Sequence, residues 1–349
     1  MSAKVTIQDI ADALGLSRNT VSKAINNTGT LADSTRERVL LKAQEMGYKQ
    51  FSYIQLNEDD PTKIQWKKPL TQSKGIAVLF CGMLASSHFA SSMLDRFQNG
   101  LSSLGYSMSL YRVLPEELLS CRLPEALNIS TIAGILCFEM FDAAYCRMLG
   151  ALGIPLLLVD SPANIFEGSF DADVLLMDNH SCVYEFMREM KRRRKKKISF
   201  IGDIHHCRSF YERYSAFRQC TVLMDFEDPC SITSISKMGG PYTGNIEDSL
   251  DPARLPEVFV CANDFVALDL MSVLEERDLS VPKDIWVCGF DDAPESRIVS
   301  PRLTTIHIHT QAMGQVALEV LYSRILTPDM NYRTVYTETD LVYRESTGD

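Results

Sequence analysis

Arg18, Asn19, Thr20, Ser22, Lys23 and Asn26 form the polar side of a short segment whose other side is Val21, Ala24 and Ile25. Arginine and asparagine make bidentate contacts with guanine and adenine edges in the DNA major groove, while serine, threonine and lysine suit phosphate oxygens. The segment therefore reads as a recognition surface for duplex DNA. A solvated face of an unrelated helical bundle is the alternative, and for Arg18 or Lys23 alone it is the better one. The whole set at one register is much harder to obtain by chance.

The elements that must position this face are legible around it. Thr6 can cap a helix over residues 7–14, with Asp9 in the first turn, where a carboxylate favours the positive end of the helix dipole. Ile7, Ile10, Ala11 and Leu14 follow i, i+3, i+4, i+7 spacing and give it one apolar face. Gly15 ends that helix, and Ser17 caps the segment bearing Arg18, so the pair predicts a helix-turn-helix. A third helix is expected from Asp33 or Ser34 to Met46, with Val39, Leu40, Ala43 and Met46 inward and Gly47 as its stop.

The charge distribution agrees with an anionic partner for this end of the chain. The 349 residues carry 35 basic and 45 acidic side chains, a net −10 that by itself argues against nucleic acid. The first 74 residues carry 11 basic against 8 acidic, and the rest 24 against 37. A small basic module on an acidic body is the pattern expected. With 46% apolar and 23% charged residues the chain can bury a sizeable core. Ten scattered cysteines without a Cys-x-x-Cys pair read as small buried residues in a reducing compartment. Met-Ser-Ala-Lys-Val-Thr has no apolar signal core and no run approaches a membrane span, so a cytoplasmic protein is expected.

Val5-Thr6-Ile7-Gln8-Asp9-Ile10-Ala11, Leu16-Ser17, Thr20-Val21-Ser22-Lys23, and Thr35-Arg36-Glu37-Arg38-Val39 through Gly47-Tyr48 resemble the N-terminal domain of the lactose-repressor/galactose-repressor family. The resemblance implies an operator-binding transcription regulator that forms a homodimer or a tetramer. It places Arg18, Asn19 and Lys23 where the family reads bases, and Ser17, Thr20 and Ser22 where it holds phosphates; Thr6 and Asn26 complete the expected DNA-binding set. The segment after Gly47-Tyr48 departs from the family, whose Pro-Asn, Ala-Arg and wedge Leu form a hinge helix on DNA. Here the sequence is Lys49-Gln50-Phe51-Ser52-Tyr53-Ile54-Gln55-Leu56-Asn57. Phe51, Tyr53, Ile54 and Leu56 are expected to form a hinge interface, with a plain tether as an equal alternative; minor-groove insertion, which kinks DNA, is not implied.

From Gly75 onward, apolar runs of strand length alternate with helical stretches. They are residues 75–80, 109–113, 132–138 and 154–159, then 198–202, 232–235, 258–261 and 285–289, with helices near 87–104, 115–127 and 142–152 in the first series. Strand-helix alternation predicts doubly wound parallel sheets, and two series predict two α/β lobes with a ligand cleft at the strands' carboxyl ends. The expected architecture is a helix-turn-helix three-helix domain (1–50), a hinge or linker (51–74), and a two-lobed α/β body (75–349). The resemblance makes that body a periplasmic-binding-protein-like effector and dimerisation domain. It also implies that Arg213, Asn263 and Asp291 enter the cleft. A planar cation, an amide and a carboxylate suit a sugar's vicinal hydroxyls or a ring edge, while capping and ion pairing are their structural alternatives.

Secondary effector candidates follow from strand ends: Phe89 and Ser87, Glu139 and Phe141, Asp160, and His307 or Thr310. Asp178 and Asn179 are expected to brace a crossover between lobes. The basic run from Lys191 to Lys197 reads as a solvated helix end, and His205-His206-Cys207 lacks the spacing of a metal site. No metal and no cofactor are expected, and no motif names a reaction. The leading reading is a sugar-controlled repressor that binds a pseudo-palindromic double-stranded operator. The alternative is a soluble carbohydrate-binding protein with a degenerate DNA-binding head.

Overall fold

The computed structural model describes residues 5–25, 33–46, 54–56, 64–66, 74–82, 88–163, 168, 170–235 and 243–349. The chain divides into two compact units, residues 1–72 with 322–331, and residues 73–321 with 332–349.

In the first unit, α1 (Ile7–Leu14), α2 (Arg18–Ile25) and α3 (Asp33–Glu45) pack on one small core. Ile10, Ala11, Val21, Ala24, Val39 and Ala43 are buried there, and Leu14, Leu16 and Met46 lean against them. Thr6 caps α1 reciprocally with Asp9. The Asp9 amide donates to Thr6 Oγ1 at 3.3 Å, and Asp9 Oδ2 accepts from the Thr6 amide at 2.7 Å. These Thr6 hydrogen bonds hold the Asp9 carboxyl below its ordinary range. Gly15 adopts φ 64°, the left-handed conformation that turns the chain from α1 toward α2. Thr6→Ala removes the cap and is expected to cost about 1 kcal/mol of stability. Thermal unfolding of the full chain would check this, and an unchanged midpoint would show that the helix holds without its cap.

Next come β1 (Ile54–Leu56) and β2 (Ile64–Trp66), an antiparallel ribbon with Gln55 opposite Gln65. The expected hinge segment is thus strand over Ile54 and Leu56, and its polar continuation supplies the partner; Phe51 and Tyr53 lie outside the described residues. Ile-Gln-Leu and Ile-Gln-Trp both alternate apolar and polar residues at the strand period, with side chains that favour pleated structure.

The second unit contains β3 (Gly75–Phe80), α4 (His88–Ser103), β4 (Ser107–Arg112), α5 (Pro115–Leu119), β5 (Ile132–Phe138), α6 (Ala143–Gly150), β6 (Leu156–Val159) and β7 (Asp173–Met177). It continues through α7 (Ser181–Arg192), β8 (Ile198–Ile201), α8 (Arg208–Leu223), α9 (Thr243–Ser249), β9 (Val258–Cys261), α10 (Asp264–Glu276), β10 (Trp286–Cys288) and α11 (Pro294–Ile298). It ends with β11 (Thr305–Ile308), α12 (Thr310–Leu326, of which the part to Leu321 belongs to this unit), β12 (Thr334–Thr337) and β13 (Thr339–Val342). One parallel sheet has the order β12-β7-β6-β5-β3-β4, and a second has β10-β9-β8. The inner runs β3, β5, β6 and β7, with β8 and β9, are almost wholly buried because helices cover both faces, whereas the edge strands β4 and β12 carry polar residues and are largely exposed.

The chain passes between the two sheets three times, at residues 177–181, 308–310 and 337–339, and β11 pairs with β13 antiparallel beside the last two. Asp178 Oδ1 accepts from the amides of His180 and Ser181 at 2.8 and 3.0 Å, which fixes the first crossover as expected.

Two expected elements are shorter than predicted. The helix from residue 115 stops at Leu119, where Cys121 takes φ 48° and Pro124 follows. Residues 232–235 make a single bridge, Ile201 to Ile232, rather than a strand. The Phe200 amide there donates to Ser231 Oγ at 2.8 Å, so a side chain takes the place of a ladder carbonyl.

The basic run at the end of α7 is mostly exposed, and Arg193 and Lys195 are half-buried. Arg193 donates to Glu189 and Asp349 at 2.6 and 2.8 Å, and Lys195 lies 3.9 Å over the Trp286 ring. Among the described residues no helix is long and apolar enough to cross a membrane.

Candidate functional site

On α2, Val21 and Ala24 point into the three-helix core, which turns Arg18, Asn19 and Lys23 to solvent and leaves Thr20 and Ser22 half-buried. Ser17 is at once cap and surface group: its Oγ accepts from the Thr20 amide at 3.1 Å and lies 2.8 Å from Thr20 Oγ1. The predicted polar face therefore exists as one surface; Asn26 lies outside the described residues.

The second site is built around Arg213 on α8, which is 3% exposed. Its Nε donates to Asn179 Oδ1 at 2.9 Å, its Nη1 donates to the Ala262 carbonyl at 2.6 Å, and Asp291 Oδ1 stands 3.5 Å away. The guanidinium lies 3.4 Å over the Phe290 ring. Asn179 Nδ2 in turn donates to Glu212 Oε2 at 2.9 Å. Asn179 thus does more than brace the crossover, because it joins Arg213 to Glu212.

The strand ends supply the carboxylates. Asp160 follows β6 with φ 58°, Glu139 follows β5 with φ 49°, and Asp291 follows β10 with φ 113°. Side chains rarely adopt such backbone angles, and they concentrate where a site fixes them. Asp160 Oδ1 accepts from the Ser161 amide at 2.7 Å and from the Ser209 amide at 3.3 Å, so it joins the end of β6 to the start of α8. The Arg208 amide donates to the Ser161 carbonyl at 2.8 Å, and the Phe141 and His206 rings meet at 4.9 Å. His206 is therefore an aromatic contact between lobes.

Other predicted members are placed differently. Asn263 Oδ1 caps α10 by accepting from the Val266 amide at 3.0 Å. His307 Nδ1 lies 3.0 Å from Asp292 Oδ2, while Glu139 is exposed. Phe89 stands in the first turn of α4, but its side chain is outside the described residues, as is Ser87. Sequence reasoning did not bring Ser209, Glu212 or Phe290 to the site; Phe290, next to Asp291, was the one with a local signal.

Burial raises the Asp291 carboxyl to about 6; Arg213 opposes the shift and Asp160 adds to it. Burial also raises Asp160, and Asp264 more strongly. A folded-state value above the unfolded one means the native chain holds a proton that the unfolded chain has released. Asp291 therefore favours the fold at low pH, and that contribution is lost as pH rises from about 4 to about 6. We expect Asp291→Asn to flatten this part of the urea midpoint's pH dependence; an unaltered slope would refute the assignment.

Residues 6–50 match the family described as Bacterial regulatory proteins, lacI family, and residues 187–347 match the Periplasmic binding protein-like domain. The chain joins a lacI-family head to a periplasmic-binding-protein-like domain. Among curated relatives, the HTH-type transcriptional regulator GalR of Lacticaseibacillus casei is 26% identical, over 98% of this chain and 99% of that protein. The HTH-type transcriptional repressor PurR of Mannheimia succiniciproducens is 24% identical over 98% of each. Among solved structures, the transcriptional regulator CelR-cellobiose complex matches with TM-score 0.68 at 20% identity, covering 98% of this chain and all (100%) of that one. The lac repressor dimer bound to operator and the anti-inducer ONPF matches with TM-score 0.64 at 20% identity over 99% of each. These likenesses give the lacI-family fold, and the curated relatives are regulators rather than enzymes.

Proposed function

We propose that this lacI-family regulator is a homodimeric repressor whose affinity for a pseudo-palindromic operator is set by a sugar in the cleft at Arg213. The observation that carries the reading is the outward set Arg18, Asn19 and Lys23 on a capped α2 whose other side is buried. Two such helices on a dimer enter successive major grooves, with Ser17, Thr20 and Ser22 at the phosphates. The sugar reading draws on CelR, solved with cellobiose, and on Asp160, Asp291 and Asn263, which offer acceptors and an amide to hydroxyl groups.

Cleft and operator communicate because a ligand that prefers one arrangement of the lobes shifts the population toward it. Such coupling is ordinarily about 1–3 kcal/mol. Whether the sugar releases or recruits DNA follows from which arrangement each ligand prefers.

Selection of bound genomic fragments by the full-length protein at fixed, near-physiological salt tests the reading, since phosphate contacts make affinity fall steeply with salt. Enrichment of a two-fold symmetric site that disappears with Arg18→Ala/Lys23→Ala is the expected result. Absence of any enriched site, with and without candidate sugars, would remove it.

A further inference from the structure

A cavity of about 670 Å³ lies beside the first crossover and has Ser161, His180, Arg208, Tyr211, Tyr332 and Arg333 among its lining residues. Arg213, Asn263 and Asp291 are not among them. Its walls come from both sides of the molecule's second unit: Ser161 and Pro162 after β6 and the approach to β12 on one side, α8 and the start of α7 on the other. The volume falls in the ordinary range for small-molecule sites.

We propose that this cavity is a second small-molecule site, for a ring-bearing anion of the aryl phosphate or aryl carboxylate class. Arg208 supplies the anion contact. Its Nε donates to Glu212 Oε1 at 2.7 Å and its Nη2 to Tyr336 Oη at 3.0 Å, which fixes the guanidinium plane. Its Nη1 makes no hydrogen bond among the described residues. A fixed guanidinium with donors to spare suits a carboxylate or phosphate oxygen. Glu212 is the acid in the lining, and it already accepts from Arg208, Asn179 and Tyr336, the last at 2.8 Å. Tyr211 and Tyr332 provide flat faces for a ring, and Tyr332 is 49% exposed at the rim.

The same contacts connect this cavity to the cleft on Arg213. Arg208, Glu212, Asn179 and Arg213 form one hydrogen-bonded chain, every link 2.9 Å or shorter. A ligand that holds Arg208 against Ser161 favours one arrangement of the two lobes. By reciprocity, whatever it does to the Arg213 cleft, an occupant of that cleft does to it.

Calorimetric titration of the full-length protein with phenyl phosphate, benzoate and neutral phenol tests the site without DNA, so its outcome is independent of the operator reading. Saturable binding of phenyl phosphate or benzoate, at least about tenfold tighter than phenol, is expected. Arg208→Gln keeps a donor for Glu212 and should weaken the bound anion about tenfold. Tyr332→Ala, at an exposed position, should weaken it severalfold in a chain that still folds, which preserves the test if Arg208→Gln does not fold. Binding of phenol as tight as that of the anions, or no saturable binding of either anion, would overturn the proposal. So would loss of binding in Asp291→Asn but not in Tyr332→Ala, because the probe would then occupy the Arg213 cleft.

Discussion

Arg213→Ala is expected to destabilise the protein by about 3–5 kcal/mol, the usual cost of removing one member of a buried charged network. The substitution leaves Asn179 Oδ1, the Ala262 carbonyl and Asp291 without their shared donor, and it uncovers the Phe290 ring. Lysine should not rescue it. One ammonium is a point donor, whereas these acceptors lie around a planar fork that also stacks on an aromatic face. Urea unfolding followed by circular dichroism gives the magnitude, and a loss below about 1 kcal/mol would mean that the acceptors find water at no cost. Where the variant is folded, operator binding should persist and the response to sugar should vanish. The Arg18 face and the Arg213 network belong to different units of the chain, so damage to one need not spread to the other.

For Arg18→Ala the expectation is a loss of about 10- to 100-fold in affinity for the selected operator, with relaxed preference at one base pair in each half-site. Lys23→Ala removes a charge as well as a donor. It should lower the slope of log affinity against log salt by about one for each recognition helix. Neither change touches the core, since both side chains face solvent while Val21 and Ala24 hold the helix in place. Stability should therefore stay within about 0.5 kcal/mol of the wild type. Fluorescence anisotropy on operator and scrambled duplexes at several salt concentrations separates the two effects. Equal losses on both duplexes for Arg18→Ala would show that this residue positions the protein without reading bases.

The sequence by itself determined the three helices of the head, because caps, turns and apolar spacing act within a few residues. Thr6, Gly15 and Ser17 sit at the ends of α1 and the start of α2, and Ile10, Val21 and Ala43 are in the core the spacing required. Most strands of the body were legible for a similar reason, since a strand covered on both faces must be apolar along its length. Periodicity says that a face is buried, however, and not against what. The alternation around Ile54 and Ile64 therefore did not disclose a two-stranded ribbon. Nor did the mixed residues of β11 and β13 disclose that they pair across 30 and more positions.

At the candidate site the tertiary structure decided most. Which residues share the Arg213 guanidinium depends on where α8, the first crossover and the end of β9 come together. Asn179 is 34 positions away in sequence and Ala262 is 49. The structure also turned Asn263 toward the amide of Val266 and set His307 against Asp292, where the sequence reading favours ligand contact for Asn263 and offers His307 as a secondary effector candidate. The cavity beside Arg208 has no signature in the chain at all. It is a gap between elements that are each complete by themselves, and a gap has no residue type or spacing by which a sequence could show it.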